Sequence, residues 1–465
     1  MAKNPFSKRD EEHEVTRRAL MQWTLAAGAA LGVSKAKIAE ILEKTGGKEL
    51  AFSATESLAT RSVHICAGNG GASWFTLLWP QTDIADANDP NLSYHKPGMT
   101  TNVAGTDRPL RVGPDTPWAT LPAAQQITGF VCGQSNAHTN DPQTTLTNLN
   151  NNNIFAVATA MQSSVPSVVP VIVINGLNLG TAPGAATPTA VGNATGIVNL
   201  FNSAASRAGG LLSMPKNATA YAVQYAAFAQ LNRAAGRSTQ KSAYGTAIGA
   251  AGLLGTNLAA QLQITAADTT RYGVSGSTPN NVKDIANALI VAVKAFKMGL
   301  TNSIVMPAMN DDPHGAFADG RVNTIPAMLK TIFDAFMTDL KGTTDSVTNK
   351  VLADDITITV SGDTPKDTVS HAGGNWGDGT PQGSNFIWVY SSGHLKSGWF
   401  GGVKRDGKVD GYDAAGNTAT YNAANTAKMA LASVAYSIAK RDDRLSGQFA
   451  NGIAVSGIFG RPKLL

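Results

Sequence analysis

Charge is scarce in this sequence. Asp, Glu, Lys and Arg supply only 15% of its 465 residues, well short of the usual quarter. Ala, Gly, Thr and Asn are abundant instead, so long stretches of surface are neutral and polar, as suits an exported or surface-packed protein. The formal net charge is only +5, and five of the basic residues, Lys3, Lys8, Arg9, Arg17 and Arg18, gather near the start. No basic stripe is left to follow a phosphate backbone, which excludes a nucleic-acid partner. Cysteine is nearly absent. Cys66 and Cys132 allow one bridge, but both sit in apolar, strand-like surroundings (VHICAG and GFVCGQ), where a buried free thiol is commoner. The interior holds no transmembrane run and no internal repeat. What the chain does have is hydrophobic content of 43%, enough for a large core, in one large domain or two to three ordinary ones.

A polar, charged start leads to Thr16-Arg17-Arg18-Ala19-Leu20-Met21, and residues 19–33 are moderately apolar and uncharged. This resembles a bacterial twin-arginine export signal, in which the paired arginines are an address read by a receptor and the apolar stretch is short for a membrane span. For cleavage, Ser34-Lys35-Ala36 is a poor match and Ser57-Leu58-Ala59 lies far downstream. Residues 34–44 read as an amphipathic helix, with Ile38, Ile41 and Leu42 on one face and Gly46-Gly47 as a stop. The segment 1–47 is therefore set apart from a single α/β domain over 60–465. Export to the periplasm or cell surface is expected; the alternative is a cytoplasmic protein that keeps its N-terminus.

Short apolar runs bounded by turn residues mark buried strands at 62–67, 168–174, 303–308, 356–360 and 386–390. Most do not alternate, as expected of strands covered on both faces. Helical periods fall at 218–233, 281–298, 325–340 and 424–440. The third is the clearest, with Met328, Leu329, Ile332, Phe333, Phe336, Met337 and Leu340 at helical spacing before Gly342. Strands alternating with helices predict a central, mostly parallel sheet with helices on both faces, and chemistry at the carboxyl ends of its strands. Two stretches read as excursions in the form of long ordered loops or extended segments: 83–153, rich in Pro, Thr and Asn, and 175–196, rich in Gly, Ala, Thr and Pro.

Several strand ends carry polar or Gly-rich motifs. Strand 62–67 is followed by Gly68-Asn69-Gly70-Gly71-Ala72-Ser73-Trp74-Phe75-Thr76, strand 303–308 by Asn310-Asp311-Asp312-Pro313-His314-Gly315, and strand 356–360 by Ser361-Gly362-Asp363-Thr364-Pro365-Lys366 and a Gly-rich stretch over 371–383. A carboxylate and an imidazole two residues apart, as Asp312 and His314 are, can converge on one cation. Asp and His in loops more often make turns and caps. Trp74, Phe75 and Trp79 form a stripe of the kind that buries apolar area, hence core or interface. Trp376, Trp388 and Trp399 read the same way, with a protein contact as the alternative.

In order and spacing these motifs resemble the alkaline phosphatase superfamily, most closely its bacterial branch called domain of unknown function 1501, across 62–402 with gaps at the two excursions. In that branch the first strand leads to Gly-Gly-x-Asp-Gly-Leu-x-Thr-Val-Val-Pro; this chain has Gly70-Gly71-Ala72-Ser73-Trp74-Phe75-Thr76-Leu77-Leu78-Trp79-Pro80, with Ser73 in the acidic position. The branch's Asp-Thr-His before a helix matches Asp312-Pro313-His314. Its Ser-Glu-Phe-Gly-Arg falls on Ser361-Gly362-Asp363-Thr364-Pro365, with Gly362 in place of Glu and Asp363 one residue away. Its Gly-Thr-Asp-His-Gly falls on Gly379-Thr380-Pro381-Gln382-Gly383, where Pro381 and Gln382 replace both charged groups.

The resemblance implies an α/β/α sandwich and, in intact members, two metal ions held for in-line displacement. Two such ions need several anionic or imidazole ligands, and Ser73, Gly362, Pro381 and Gln382 do not supply them. Asp312, His314 and Asp363, with Asp378 or His371, are left to hold at most one divalent ion. Thr76 occupies the place of a phosphatase nucleophile, but without a cation beside it a threonine hydroxyl is inert at neutral pH. The expectation is a non-catalytic exported or surface-displayed protein that serves as a structural, binding or self-assembly component, with itself or another protein as partner. The alternative is a divergent metal-dependent hydrolase of phosphate or sulfate esters using Asp312, His314 and Asp363.

Overall fold

The computed structural model of the chain describes residues 59–67, 71–86, 99–133, 146–147, 149–165, 167–202, 257–309, 311–362, 376–377, 380–440 and 442–460. The chain divides into two compact units, one of Met1–Glu56, Ser164–Val168 and Asn199–Gln261, the other of Ser57–Ser163, Val169–Val198 and Leu262–Leu465. Only short pieces of the first fall among the described residues. The N-terminal segment with its export-like motif and the helix expected at 218–233 lie outside them.

The second unit is built on an eight-stranded sheet. In chain order its strands are β1 (Arg61–Ala67), β2 (Thr128–Val131), β3 (Val169–Ile174), β4 (Thr189–Val191), β5 (Thr301–Pro307), β6 (Ile356–Gly362), β7 (Phe386–Tyr390) and β8 (Gly398–Phe400). Their spatial order is β8-β2-β7-β6-β1-β5-β3-β4. Every ladder is parallel except the two made by β7, which runs against both β2 and β6. The main helices are α1 (Ala72–Leu78), α2 (Ile154–Met161), α3 (Asn280–Lys297), α4 (Ile325–Lys341), α5 (Ala423–Ile438) and α6 (Asp443–Ala450). The α/β class expected from the sequence is thus the observed one. All five expected strands are present, and α3, α4 and α5 lie within two residues of their expected bounds.

Two corrections concern the excursions. The stretch 83–153 supplies β2, whose Thr128-Gly129-Phe130-Val131 are all buried, and 175–196 supplies the edge strand β4. Both strands are too short to announce themselves locally, and the partners of β2 come from distant sequence, which outweighs local propensity. Gly129 shows how tight that pairing is. A Cβ there would lie 2.7 Å from the Trp399 indole, so only glycine lets the ring cross β2.

One face of the central strands is apolar and aromatic. Trp79, at the end of α1, has its ring 5.7 Å from Trp118, 5.9 Å from Phe333 of α4 and 5.9 Å from Trp388 of β7. Trp74, Phe75, Trp376, Trp388 and Trp399 are all buried, as core residues. On α4 the buried stripe runs Leu329, Ile332, Phe333, Phe336, Met337 and Leu340, with Pro326 in the first turn, where no donor is lost.

The opposite face is lined with hydroxyls. β1 and β6 alternate polar and apolar residues (Ser62, His64 and Thr357, Thr359 against Val63, Ile65 and Ile358, Val360), a pattern that ordinarily marks a half-solvated strand. Here every one of these side chains is buried. The hydroxyls satisfy one another: Thr60 with Thr357 at 2.9 Å, Thr357 with Ser437 of α5 at 3.0 Å, and Ser62 with Ser303 of β5 at 3.0 Å. Gln162, just past α2, donates to the Thr60 carbonyl at 2.7 Å and to Ser62 Oγ at 2.9 Å. His64 Nδ1 meets Thr359 Oγ1 at 2.7 Å, and its ring packs 4.6 Å from Phe155 of α2.

At the amino ends of the strands a buried ion pair closes the sheet. Arg61 Nε and Asp345 Oδ2 are 2.8 Å apart with both side chains 1% exposed. Arg61 also donates to the Thr301 carbonyl at 3.1 Å and to Asn302, while Asp345 Oδ1 accepts from the backbone N–H of Val347 at 2.7 Å. Cys66 and Cys132 are both buried and form no disulfide, and burial pushes the Cys132 thiol up to about 12. Among the described residues no helix is long and apolar enough to cross a membrane.

Two predictions follow from these buried groups. Burial lowers the His64 pKa from 6.5 to about 3, so between those values the unfolded chain takes up a proton that the folded chain refuses. Stability is therefore expected to fall by up to about 1.4 kcal/mol per pH unit as pH drops below 6.5. Urea unfolding of His64→Gln alongside the parent checks this, and parallel pH profiles would refute it. Asp345→Ala leaves Arg61 charged and buried, and is expected to cost about 3–5 kcal/mol in the same measurement.

Candidate functional site

The carboxyl ends of β1, β5 and β6 lie together, with Cys66 paired to Pro307 and Ala67 to Gly362. Beyond Pro307 the chain stays attached to β1 through Ala308, whose N–H donates to the Cys66 carbonyl at 2.9 Å. It then enters the loop that carries Asp311, Asp312 and His314. Asp312 Oδ1 accepts the backbone N–H of His314 at 3.2 Å and contacts His314 Nδ1 as well. This is an Asx turn closed by the imidazole, with the two side chains 56% and 37% exposed. The His314 carbonyl accepts from Trp376 N at 3.2 Å, which holds the loop against a buried indole.

Below that pair lies a second, larger cluster. Arg321 pairs with Asp311 and, at 2.7 Å, with Asp319, and its guanidinium carbon stands 5.8 Å from the centre of the Trp74 ring. Hydrogen bonds from Arg321 hold the Asp319 carboxyl below its ordinary range. Trp74 meets Trp376 edge to face at 5.7 Å, and Trp376 meets Phe317 at 5.1 Å. Arg321 was not among the sequence candidates. Its signal was the spacing Asp319-Gly320-Arg321, too common in turns to stand out.

The other candidate positions serve the fold. Ser73 and Thr76 are buried within α1, and Thr76 Oγ1 donates to the Ala72 carbonyl four residues back at 3.2 Å. That places the Thr76 hydroxyl inside the helix and not at its solvent end. Gly362 is the last residue of β6. Pro381 is buried in a tight turn, and Gln382 sits there at φ +44° with its Oε1 accepting from Val409 N at 2.9 Å. Val409 belongs to a small antiparallel sheet of Gly402–Val403, Val409–Tyr412 and Thr418–Thr420, so Gln382 fastens that sheet to the end of the core. Asp363, His371 and Asp378 lie outside the described residues.

Of the three metal candidates, Asp312 and His314 are brought together. A zinc site takes three or four protein donors and a paired-metal site more; the third candidate, Asp363, lies outside the described residues. Among the described residues no group of three or more His, Cys, Asp or Glu is placed to hold a metal ion. Compared with protein-family models, with curated proteins and with solved structures, the chain matches none.

Exposure ranks the two clusters energetically. Asp312→Ala is expected to change the unfolding free energy by less than about 1 kcal/mol, because exposed pairs contribute little. Arg321→Ala removes a guanidinium that pairs two carboxylates and covers an indole, and should cost roughly 1–2 kcal/mol. Chemical denaturation of the two variants checks the order, and equal losses would contradict it.

Proposed function

We propose that this chain is a non-catalytic relative of the alkaline phosphatase superfamily, exported or displayed at the cell surface, that works as a structural, binding or self-assembly component. The observation that carries this reading is the closure of charged groups at the carboxyl ends of the strands. Asp312 is turned onto His314, and Asp311 and Asp319 are turned onto Arg321 above Trp74. Charges spent on each other in this way do not present the convergent ligand set that phosphoryl or sulfuryl transfer requires. Turn and core duties at Thr76, Pro381 and Gln382 point the same way. The low charge of the chain and its twin-arginine-like start support export.

The contiguity of Asp312 and His314 favours the second reading, a hydrolase of phosphate or sulfate esters with one divalent ion completed by Asp363. Elemental analysis of the purified protein together with a panel of aryl phosphate and sulfate esters separates the two. The scaffold reading expects no stoichiometric zinc, manganese or calcium and no turnover with or without chelator. One metal per chain and turnover that Asp312→Ala abolishes would overturn it. A reporter fused to residues 1–34 should be exported, and replacing Arg17 and Arg18 with lysine should stop it.

A further inference from the structure

The two edges of the eight-stranded sheet are treated differently. Outside β8 the chain seals its own edge: Arg108 N–H donates to the Ser397 carbonyl at 3.0 Å, and Trp399 N–H donates to the Pro109 carbonyl at 3.2 Å. The fit is close enough that a Cβ on Gly398 would lie 2.3 Å from the Arg108 carbonyl oxygen. At the other edge stands β4, joined to β3 on one side only. Val191 turns its carbonyl inward, where it accepts from Asn175 N–H at 2.8 Å. Backbone groups alternate along a strand, so the N–H and C=O of Ala190 point outward, and Ala190 is exposed. Among the described residues nothing pairs with them.

Natural proteins blunt such an edge by keeping it short, or with charge, above all lysine, or with proline; β4 has three residues and follows Pro188. Here the charge is missing. Residues 142–206 contain no Asp, Glu, Lys, Arg or His, and the exposed residues around β4, including Asn175, Thr181, Pro183, Thr187, Pro188, Gly192 and Asn193, are all neutral. A charged partner finds nothing to pair with on this surface. A second copy of the chain meets an equally neutral edge and desolvates no ion. The sealed β8 edge also prevents head-to-tail stacking of sheets, so β4 has only its own counterpart to meet, which selects a closed two-fold arrangement over an open filament.

We propose that β4 is a self-association edge at which two copies of this chain pair antiparallel, Ala190 opposite Ala190, to form an isologous dimer. The two Ala190 residues exchange both of their N–H to C=O bonds. Gly192 N–H of each copy then faces the Pro188 carbonyl of the other. Pro188, which has no N–H to offer, ends the ladder there, so the pairing is bounded. This deepens the self-assembly reading and rests on it.

Light scattering on the full chain across the micromolar range tests it, with Ala190→Lys as the variant. The parent is expected at twice 48.2 kDa, and Ala190→Lys at the monomer mass with an unchanged far-UV circular dichroism spectrum and a dissociation constant raised at least tenfold. A second variant, Ala190→Cys, sets two thiols on residues whose Cα atoms face each other at roughly 5.5 Å, within disulfide reach. Mild oxidation should give a reducible dimer, against a low background because Cys66 and Cys132 are buried. A parent that stays monomeric, or Ala190→Cys that gives no reducible dimer, overturns the proposal. A parent that assembles equally well with Ala190→Lys overturns this edge and leaves the self-assembly reading standing.

Discussion

Everything in the larger unit leans on the hydrogen-bonded layer between β1 and its neighbours. β1 is the middle strand, and the polar half of its alternation faces inward to Thr357, Thr359 and Ser303 beneath α2 and α5. Buried hydroxyls left single would each cost about 1–3 kcal/mol. Paired in chains, they stabilise one register and no other, since sliding β1 by a residue would set Val63 and Ile65 against the hydroxyls and His64 into the aromatic core. The layer is therefore a device for specificity as well as cohesion. It also explains how a protein so poor in charge fixes a single packing of its helices on the sheet.

That register determines what happens at the carboxyl ends. With Cys66 level with Pro307 and Ala67 level with Gly362, the loops after β1 and β5 emerge side by side, as they do in α/β enzymes with a site at this end. The groups delivered there are carboxylates, an imidazole and a guanidinium, the usual vocabulary of catalysis. Their arrangement is that of a brace. Arg321 is held by two carboxylates over Trp74, and Trp74 in turn supports Trp376, on whose backbone the His314 carbonyl rests. Polar side chains at a strand end are thus evidence of chemistry only when their free valences point at a common empty point.

Strands and helices with strong local signals were legible in the sequence. Ile356–Gly362 and Ile325–Lys341 announce themselves through a short apolar run bounded by turn residues and a helical stripe, respectively. Thr128–Val131 and Thr189–Val191 did not, because four and three residues carry too little pattern to outweigh the Asn, Thr and Pro around them. Cover on both faces was expected of this strand, but the hydroxyl and imidazole partners of Thr357 and Thr359 were hidden, since a threonine facing water and one facing another threonine look alike in one dimension. At the candidate site, spacing correctly joined Asp312 to His314. It could not tell that the pair closes an Asx turn, nor that Arg321, seven residues past His314 in sequence, is the group that organises Asp311.

The order of strands has a temporal meaning. His64 and Thr359 touch although 295 residues separate them, and Ser62 and Ser303 meet across 241. At ribosomal rates of about 5–20 residues per second, β1 emerges roughly 15–60 seconds before the strand that completes its far side. β5, its neighbour on the other side, itself emerges only about 12–48 seconds after β1, and closure of loops this long is intrinsically slow. The first strand among the described residues waits on two strands made late. Such an order leaves apolar surface uncovered while the chain is being made, and its weakest moment comes before it has a fold to lose.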